Sequence, residues 1–132
     1  MPVNILIAED ERLISLDLQK SLEVLGYKIL YQAYSAEDAV EYAVKYKPDI
    51  ILMDIKFDEA LTGFEAAYFI NSKLDIPIIF ISAYSPDKIK NREPDFFTYS
   101  YLTKPVDISD LDKEIKLVLG KKFRSEMLIK ND

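Results

Sequence analysis

Cysteine and histidine are both absent from this 132-residue chain. Without cysteine there is no disulfide and no thiolate metal site, a pattern that fits a reducing compartment. Without histidine, the Ser-His-Asp triad and imidazole metal ligands are excluded as well. Glycine is scarce, with only Gly26, Gly63 and Gly120, widely scattered. A glycine-rich phosphate loop of the P-loop kind is therefore excluded. Positive charge is in deficit, 17 Lys and Arg against 23 Asp and Glu, for a formal net charge of −6. Such a chain repels phosphate backbones, which argues against direct binding of nucleic acid. No apolar run approaches the roughly 20 residues of a membrane span. The opening "MPVNILIAEDE" lacks the basic stretch and long apolar core of a secretion signal. The expected location is the cytoplasm, with no membrane contact.

What is present is an ordinary globular composition, 49% hydrophobic and 30% charged, at a length that suits one domain. Five short apolar, β-branched runs read as strands: 3–8, 27–34, 49–53, 76–82 and 96–102. The first, third and fourth are nearly unbroken, as central parallel strands are. The second and fifth interleave Lys28, Gln32, Thr98 and Ser100, as sheet edges tolerate. Helical periodicity lies between and after them. In 11–25, Ile14, Leu18, Leu22 and Leu25 form a stripe. The segments at 35–46 and 62–74 open on Ser35/Asp38 and Thr62/Glu65, both capping-box arrangements. A short, polar segment at 85–93 is weakly helical. In 107–120, Ile108, Leu111, Ile115 and Val118 recur, with Gly120 as the expected stop. Strict β-α alternation predicts a doubly wound, mainly parallel α/β sheet with helices on both faces.

Sheets of this class take ligands outside the carboxyl ends of their strands. Strand one ends in Glu9 and Asp10, strand three in Asp54 and strand four in Ser82, and strand five is followed by Lys104-Pro105. Singly, each has an unremarkable explanation. Asp10 could cap a helix, Asp54 could start a turn, Ser82 could be a loop hydroxyl and Lys104 a solvated charge. Together they describe chemistry. Three carboxylates in one crevice raise one another's pKa, and a cation relieves the repulsion. Without nitrogen or sulfur ligands that cation is a hard one, and magnesium suits so sparse a site. A lysine and a small hydroxyl beside it match a phosphoryl group. With no loop to hold a nucleotide, a phosphoryl group carried by the protein itself remains, and Asp54 is the candidate nucleophile.

These residues resemble the receiver domain of two-component response regulators over positions 3 to about 120. The resemblance rests on "ILIAEDE" (5–11), "DIILMDI" (49–55), "GFEAA" (63–67), "PIIFISAY" (77–84) and "YLTKP" (101–105). It implies a flavodoxin-like sheet of five strands in the order 2-1-3-4-5. It implies that Asp54 accepts phosphate from a sensor histidine kinase or phosphotransfer protein, and that Glu9, Asp10, Asp54 and the backbone carbonyl of Lys56 hold Mg2+. Ser82 would hydrogen-bond the phosphoryl group, Lys104 would neutralise it, and Tyr101 resembles the aromatic switch residue. A cis bond before Pro105 would aim the lysine. The surface of the fourth helical segment, the fifth strand and the fifth helical segment would serve partners or a homodimer.

Some positions depart from the family pattern. The acidic pair is Glu-Asp, "KFDEALTG" (56–63) lacks a glycine near Asp58-Glu59, and Thr62 stands where Asp is commoner. "REPDFFTYS" (92–100) lacks the usual Gly-Ala, so the switch surface is expected to be less regular. Two other classes compete. An aspartate-nucleophile phosphatase needs a second Asp two residues after the nucleophile, where Lys56 stands. A degenerate receiver acting as a phosphorylation-independent interaction module would be expected to have lost some of the five chemical positions, all of which are filled. The receiver is expected to occupy 1–120, and 121–132 a tail or the start of a linker.

Overall fold

A computed structural model of the chain describes residues 2–55, 62–83 and 99–130, with side chains described up to Phe123. Its elements, in chain order, are β1 (Asn4–Ala8), α1 (Arg12–Val24), β2 (Lys28–Ala33), α2 (Ala36–Tyr46), β3 (Ile50–Asp54), α3 (Gly63–Asn71), β4 (Ile78–Ser82), β5 (Tyr99–Thr103) and α4 (Ile108–Lys130). The strands form one flavodoxin-like sheet in the order β2-β1-β3-β4-β5, and every neighbouring pair is parallel. The expected helical segment at 85–93, Lys56 and the first residues of the fifth expected strand lie outside the described residues.

Burial follows the sequence pattern. All five residues of β3 and of β4 are buried, whereas β5 is half-buried along most of its length, as an edge strand should be. Side chains alternate between two cores. Leu6, Ile51, Met53, Ile78 and Phe80 face α2 and α3. Ile5, Ile7, Ile50, Leu52, Ile79 and Ile81 face α1 and α4.

Local chemistry fixes the helix starts. Ser35 Oγ accepts the Asp38 N–H at 3.0 Å. Thr62 Oγ1 accepts the Glu65 N–H at 3.2 Å and donates to Glu65 Oε1 at 3.1 Å. Each closes an orphan donor of the first turn. Asp107 Oδ1 caps α4 through the N–H groups of Ser109 and Asp110.

Two helical expectations need correction. Of the α1 stripe, Leu22 is fully buried, but Ile14 and Leu25 are exposed by 36% and 48%. Leu25 falls at the C-cap, where the chain turns away, and Ile14 instead borders a cavity beside the site. Nor does Gly120 stop the last helix, which runs on to Lys130. A glycine inside a helix costs only about 1 kcal/mol relative to alanine, and Gly120 lacks the left-handed backbone of a terminating glycine. Beyond it, Lys122 Nζ donates to the Asp75 carbonyl at 2.7 Å and ties the extension to the body.

Candidate functional site

Parallel strands bring their last residues to one edge, and there the chain gathers its charge. Asp54 is the final residue of β3 and pairs with Ile81, so it lies within the ladder and not behind it. Glu9 follows β1, its N–H donating to the Ala33 carbonyl at 3.0 Å. Both carboxylates are buried, each residue only 3% exposed. Asp10 opens the following loop, and carboxylate oxygens of Glu9, Asp10 and Asp54 all lie within 4.8 Å of one another. Buried charges of one sign demand a counter-charge. Lys104 supplies one, its Nζ standing 3.0 Å from Glu9 Oε1 and 3.3 Å from Asp54 Oδ2.

The titration behaviour follows this geometry. Burial, then the hydrogen bond with Asp54, pushes the Glu9 carboxyl above its ordinary range, although Asp10 and Lys104 pull against them. Asp10 is also raised, by burial and then by Glu9. Burial alone would lower Lys104, but its bond to Glu9 and the charges of Asp54 and Glu9 outweigh that, so it is held above its usual value. Three carboxylate donors and no nitrogen or sulfur donor form a set suited to a hard divalent cation.

The remaining expected residues assemble at the same edge. Ser82 ends β4 and is 2% exposed, and its carbonyl accepts the Lys104 N–H at 2.8 Å. The Lys104-Pro105 bond is cis, turning the chain directly behind the lysine. Tyr101 pairs with Phe80 across β4 and β5 and stacks on its ring, with centroids 5.4 Å apart. The neighbouring Tyr99 meets Tyr101 edge-on at 5.6 Å. Both tyrosines pack against the core under α2 and α3. They are half-buried members of an aromatic cluster and do more than cover an edge.

The sequence alone did not reveal two features. A cavity of about 540 Å³ opens beside Glu9 and Lys104, walled by Leu13, Ile14, Leu18, Ile81 and Val106. Its only sequence signal was the excess of apolar residues on α1 beyond one stripe. The other is the close approach of α3 to the end of β3. That approach was signalled by a glycine directly after the helix cap.

The comparisons agree with the fold that carries this site. Residues 5–116 match the family described as the response regulator receiver domain. The chain is 40% identical over 121 residues to the transcriptional regulatory protein PdtaR of Mycobacterium tuberculosis, covering 92% of this chain and 58% of that protein. It is 32% identical to the transcriptional regulatory protein YvrH of Bacillus subtilis, covering 93% of this chain and 52% of that one. The chain thus spans little more than half the length of these curated relatives. Among solved structures, the signal receiver domain of a modulated diguanylate cyclase from Desulfovibrio desulfuricans superposes with a TM-score of 0.82 at 34% identity, covering 95% of this chain and 99% of that one. The receiver domain of PhyR from Erythrobacter litoralis does so with a TM-score of 0.76 at 33% identity, covering 89% and 90%. With the family match over residues 5–116 and the same fold in its structural neighbours, this chain belongs to the response regulator receiver domain family.

Proposed function

We propose that the protein is a phosphorylation-controlled switch that takes a phosphoryl group onto Asp54 from a phosphohistidine of a sensor kinase or phosphotransfer protein. The observation that carries this reading is the ion-paired Asp54 carboxylate at the end of the central strand, 3.3 Å from Lys104 Nζ, with Glu9 and Asp10 converging on it. An Asp54 oxygen attacks phosphorus as the bond from phosphorus to the histidine nitrogen breaks, and the freed imidazole takes a proton from solvent. The aspartyl-phosphate that forms is later hydrolysed by water, so the protein turns over no separate substrate. Such transfers depend on positioning and charge stabilisation. Lys104 neutralises an equatorial oxygen, and the Ser82 hydroxyl donates to another.

Glu9, Asp10 and Asp54 fit Mg2+, which when bound would offset the negative charge gathered in the transition state; the carbonyl of Lys56, expected as a further ligand, lies outside the described residues. The ion pairs with Glu9 and Asp54 hold the lysine toward the acids. Recruitment of Ser82 to the phosphoryl group is relayed to Tyr101 and so to the surface of β5 and α4, where a partner or a second copy would bind. The absence of cysteine and the kinase partnership support a cytoplasmic location.

Labelling by acetyl phosphate tests this reading. The wild type should label in a magnesium-dependent manner and Asp54→Asn should not, while keeping the fold. An Asp54→Asn variant that labels fully would sink the assignment. A wild type that never labels would favour a phosphorylation-independent interaction module.

A further inference from the structure

We infer that Gly63 is a positioning residue for the Asp54 carboxylate, an inference that rests on Asp54 being the phosphoacceptor. Gly63 is the first residue of α3, and the helix begins in direct contact with the end of β3. A Cβ placed on Gly63 would stand 2.7 Å from the Asp54 carbonyl oxygen, 3.0 Å from Ile55 Cα and 3.2 Å from Met53 Cγ. The Met53 side chain can yield. The other two atoms are backbone, and the shortest approach falls about 0.7 Å inside an ordinary contact of 3.4 Å.

Neither partner is free to retreat. On the strand side, Asp54 is paired with Ile81, and the Ile55 N–H donates to the Ile81 carbonyl at 3.1 Å. On the helix side, Thr62 closes the first turn through Glu65. Phe64 lies against Phe80, with ring centroids 4.8 Å apart, and against Tyr101 at 6.4 Å. Ala66 and Ala67 are fully buried against the sheet. Interiors packed to this density transmit a misfit instead of absorbing it. Any side chain at 63 therefore displaces the helix start or turns the Asp54 peptide, and with the peptide goes the direction of the carboxylate.

Gly26 and Gly120 have nothing within 4 Å of an added Cβ, so this requirement among the three glycines is particular to the one behind Asp54. Gly63 also carries no left-handed φ. Its need is for space, not for backbone freedom, and alanine would otherwise be the better helix former.

The experiment follows acetyl phosphate labelling and thermal melting of the wild type, Gly63→Ala, Thr62→Ala and Ile70→Val, with Asp54→Asn as the blank. Gly63→Ala should slow labelling at saturating donor by about tenfold or more, with half-saturation nearly unchanged, as expected when an attacking atom is misaimed by less than 1 Å. Ile70→Val, at a fully buried site two turns along the same helix, should lower the melting temperature yet label at the wild-type rate. Thr62→Ala loosens the helix start at a half-buried position and should slow labelling about twofold, which decides the matter if Gly63→Ala does not fold. The inference is overturned if Gly63→Ala folds and labels at the wild-type rate. It is equally overturned if Ile70→Val slows labelling as much, or if Gly63→Ala fails to fold and Thr62→Ala labels normally. Failure of the underlying reading looks different: the wild type stays unlabelled, or Asp54→Asn labels, and Gly63 then has no such role.

Discussion

Beneath α2 and α3 the sheet meets Ala36, Ala39, Ala43, Ala66 and Ala67, together with the rings of Phe64 and Phe80 and the half-buried Tyr99 and Tyr101. Beneath α1 and α4 the buried hydrophobic residues, among those described, are all branched aliphatics, including Ile5, Leu22, Leu52, Ile81 and Ile115. Alanine lets a helix lie close, and rings stack in a few preferred poses at 4.5–7 Å. The branched aliphatics opposite are close-packed without rings. The charged groups border the aliphatic side, since Glu9 and Lys104 line the cavity with Leu13, Ile14 and Ile81. The alternation of β4 places Ser82 on the side of Phe80 and Tyr101. The difference suggests a division of labour, in which chemistry is held by the stiffer face and conformational response is left to the aromatic one.

The largest expected effect comes from Phe80, fully buried between Phe64 and Tyr101. Phe80→Ala should cost about 3–5 kcal/mol in denaturant unfolding and collapse the near-ultraviolet dichroism of the tyrosines. Leu52→Ala on the other face should cost about 2–5 kcal/mol while leaving that tyrosine signal in place. Equal spectral damage from both variants would break the comparison.

Next in size is overpacking. Ala43, fully buried under α2, replaced by Leu should cost about 1–3 kcal/mol. A neutral result would mean that α2 is not seated closely on the sheet.

Magnesium at ten times its dissociation constant should stabilise the wild type by about 1.4 kcal/mol, read as a rise in melting temperature. Asp10→Asn should reduce that rise. Equal shifts would leave Asp10 with no part in holding metal.

The smallest effect concerns the aliphatic face, where the Tyr27 hydroxyl donates to Asp112 Oδ1. Burial and this bond hold the Tyr27 pKa above its ordinary 10.0, so the stabilisation is intact below pH 10 and fades as pH rises through the raised value. The same bond, then Lys116, holds Asp112 below its ordinary 3.8, so its share is intact above that pH and fades as pH falls through the lowered value. Tyr27→Phe should flatten both limbs of a melting-temperature profile from pH 3 to 11, with a drop of a few degrees at neutrality. Unchanged limbs would remove the bond from the stability of this face.

The site was legible because strand-end chemistry depends on which residue follows which apolar run. Asp54 behind "IILM" and Lys104 behind "YSYL" needed no tertiary knowledge to place. Strand existence was equally plain, since buried parallel strands leave unbroken β-branched runs. What escaped depends on facing surfaces. The glycine that opens "GFEAA" hints at a close approach but does not say what it meets, and nothing in α1 states that Ile14 borders a cavity while Ser15 is fully buried. Gly120 misled for a related reason, because a glycine ends a helix only where the following chain turns away.

That continuation has a mechanical side. From Gly120 to Lys130 the helix extends about 15 Å at 1.5 Å per residue, clamped near its root by the Lys122 bond to Asp75. It is a lever with a fulcrum. Each degree by which α4 tilts on the sheet carries its far end about 0.26 Å over that length. A rotation of about 10° would swing that end by more than 2 Å. Loss of the Lys122 clamp would let the rod bend at Gly120 instead, and the same tilt would then arrive at the far end as slack.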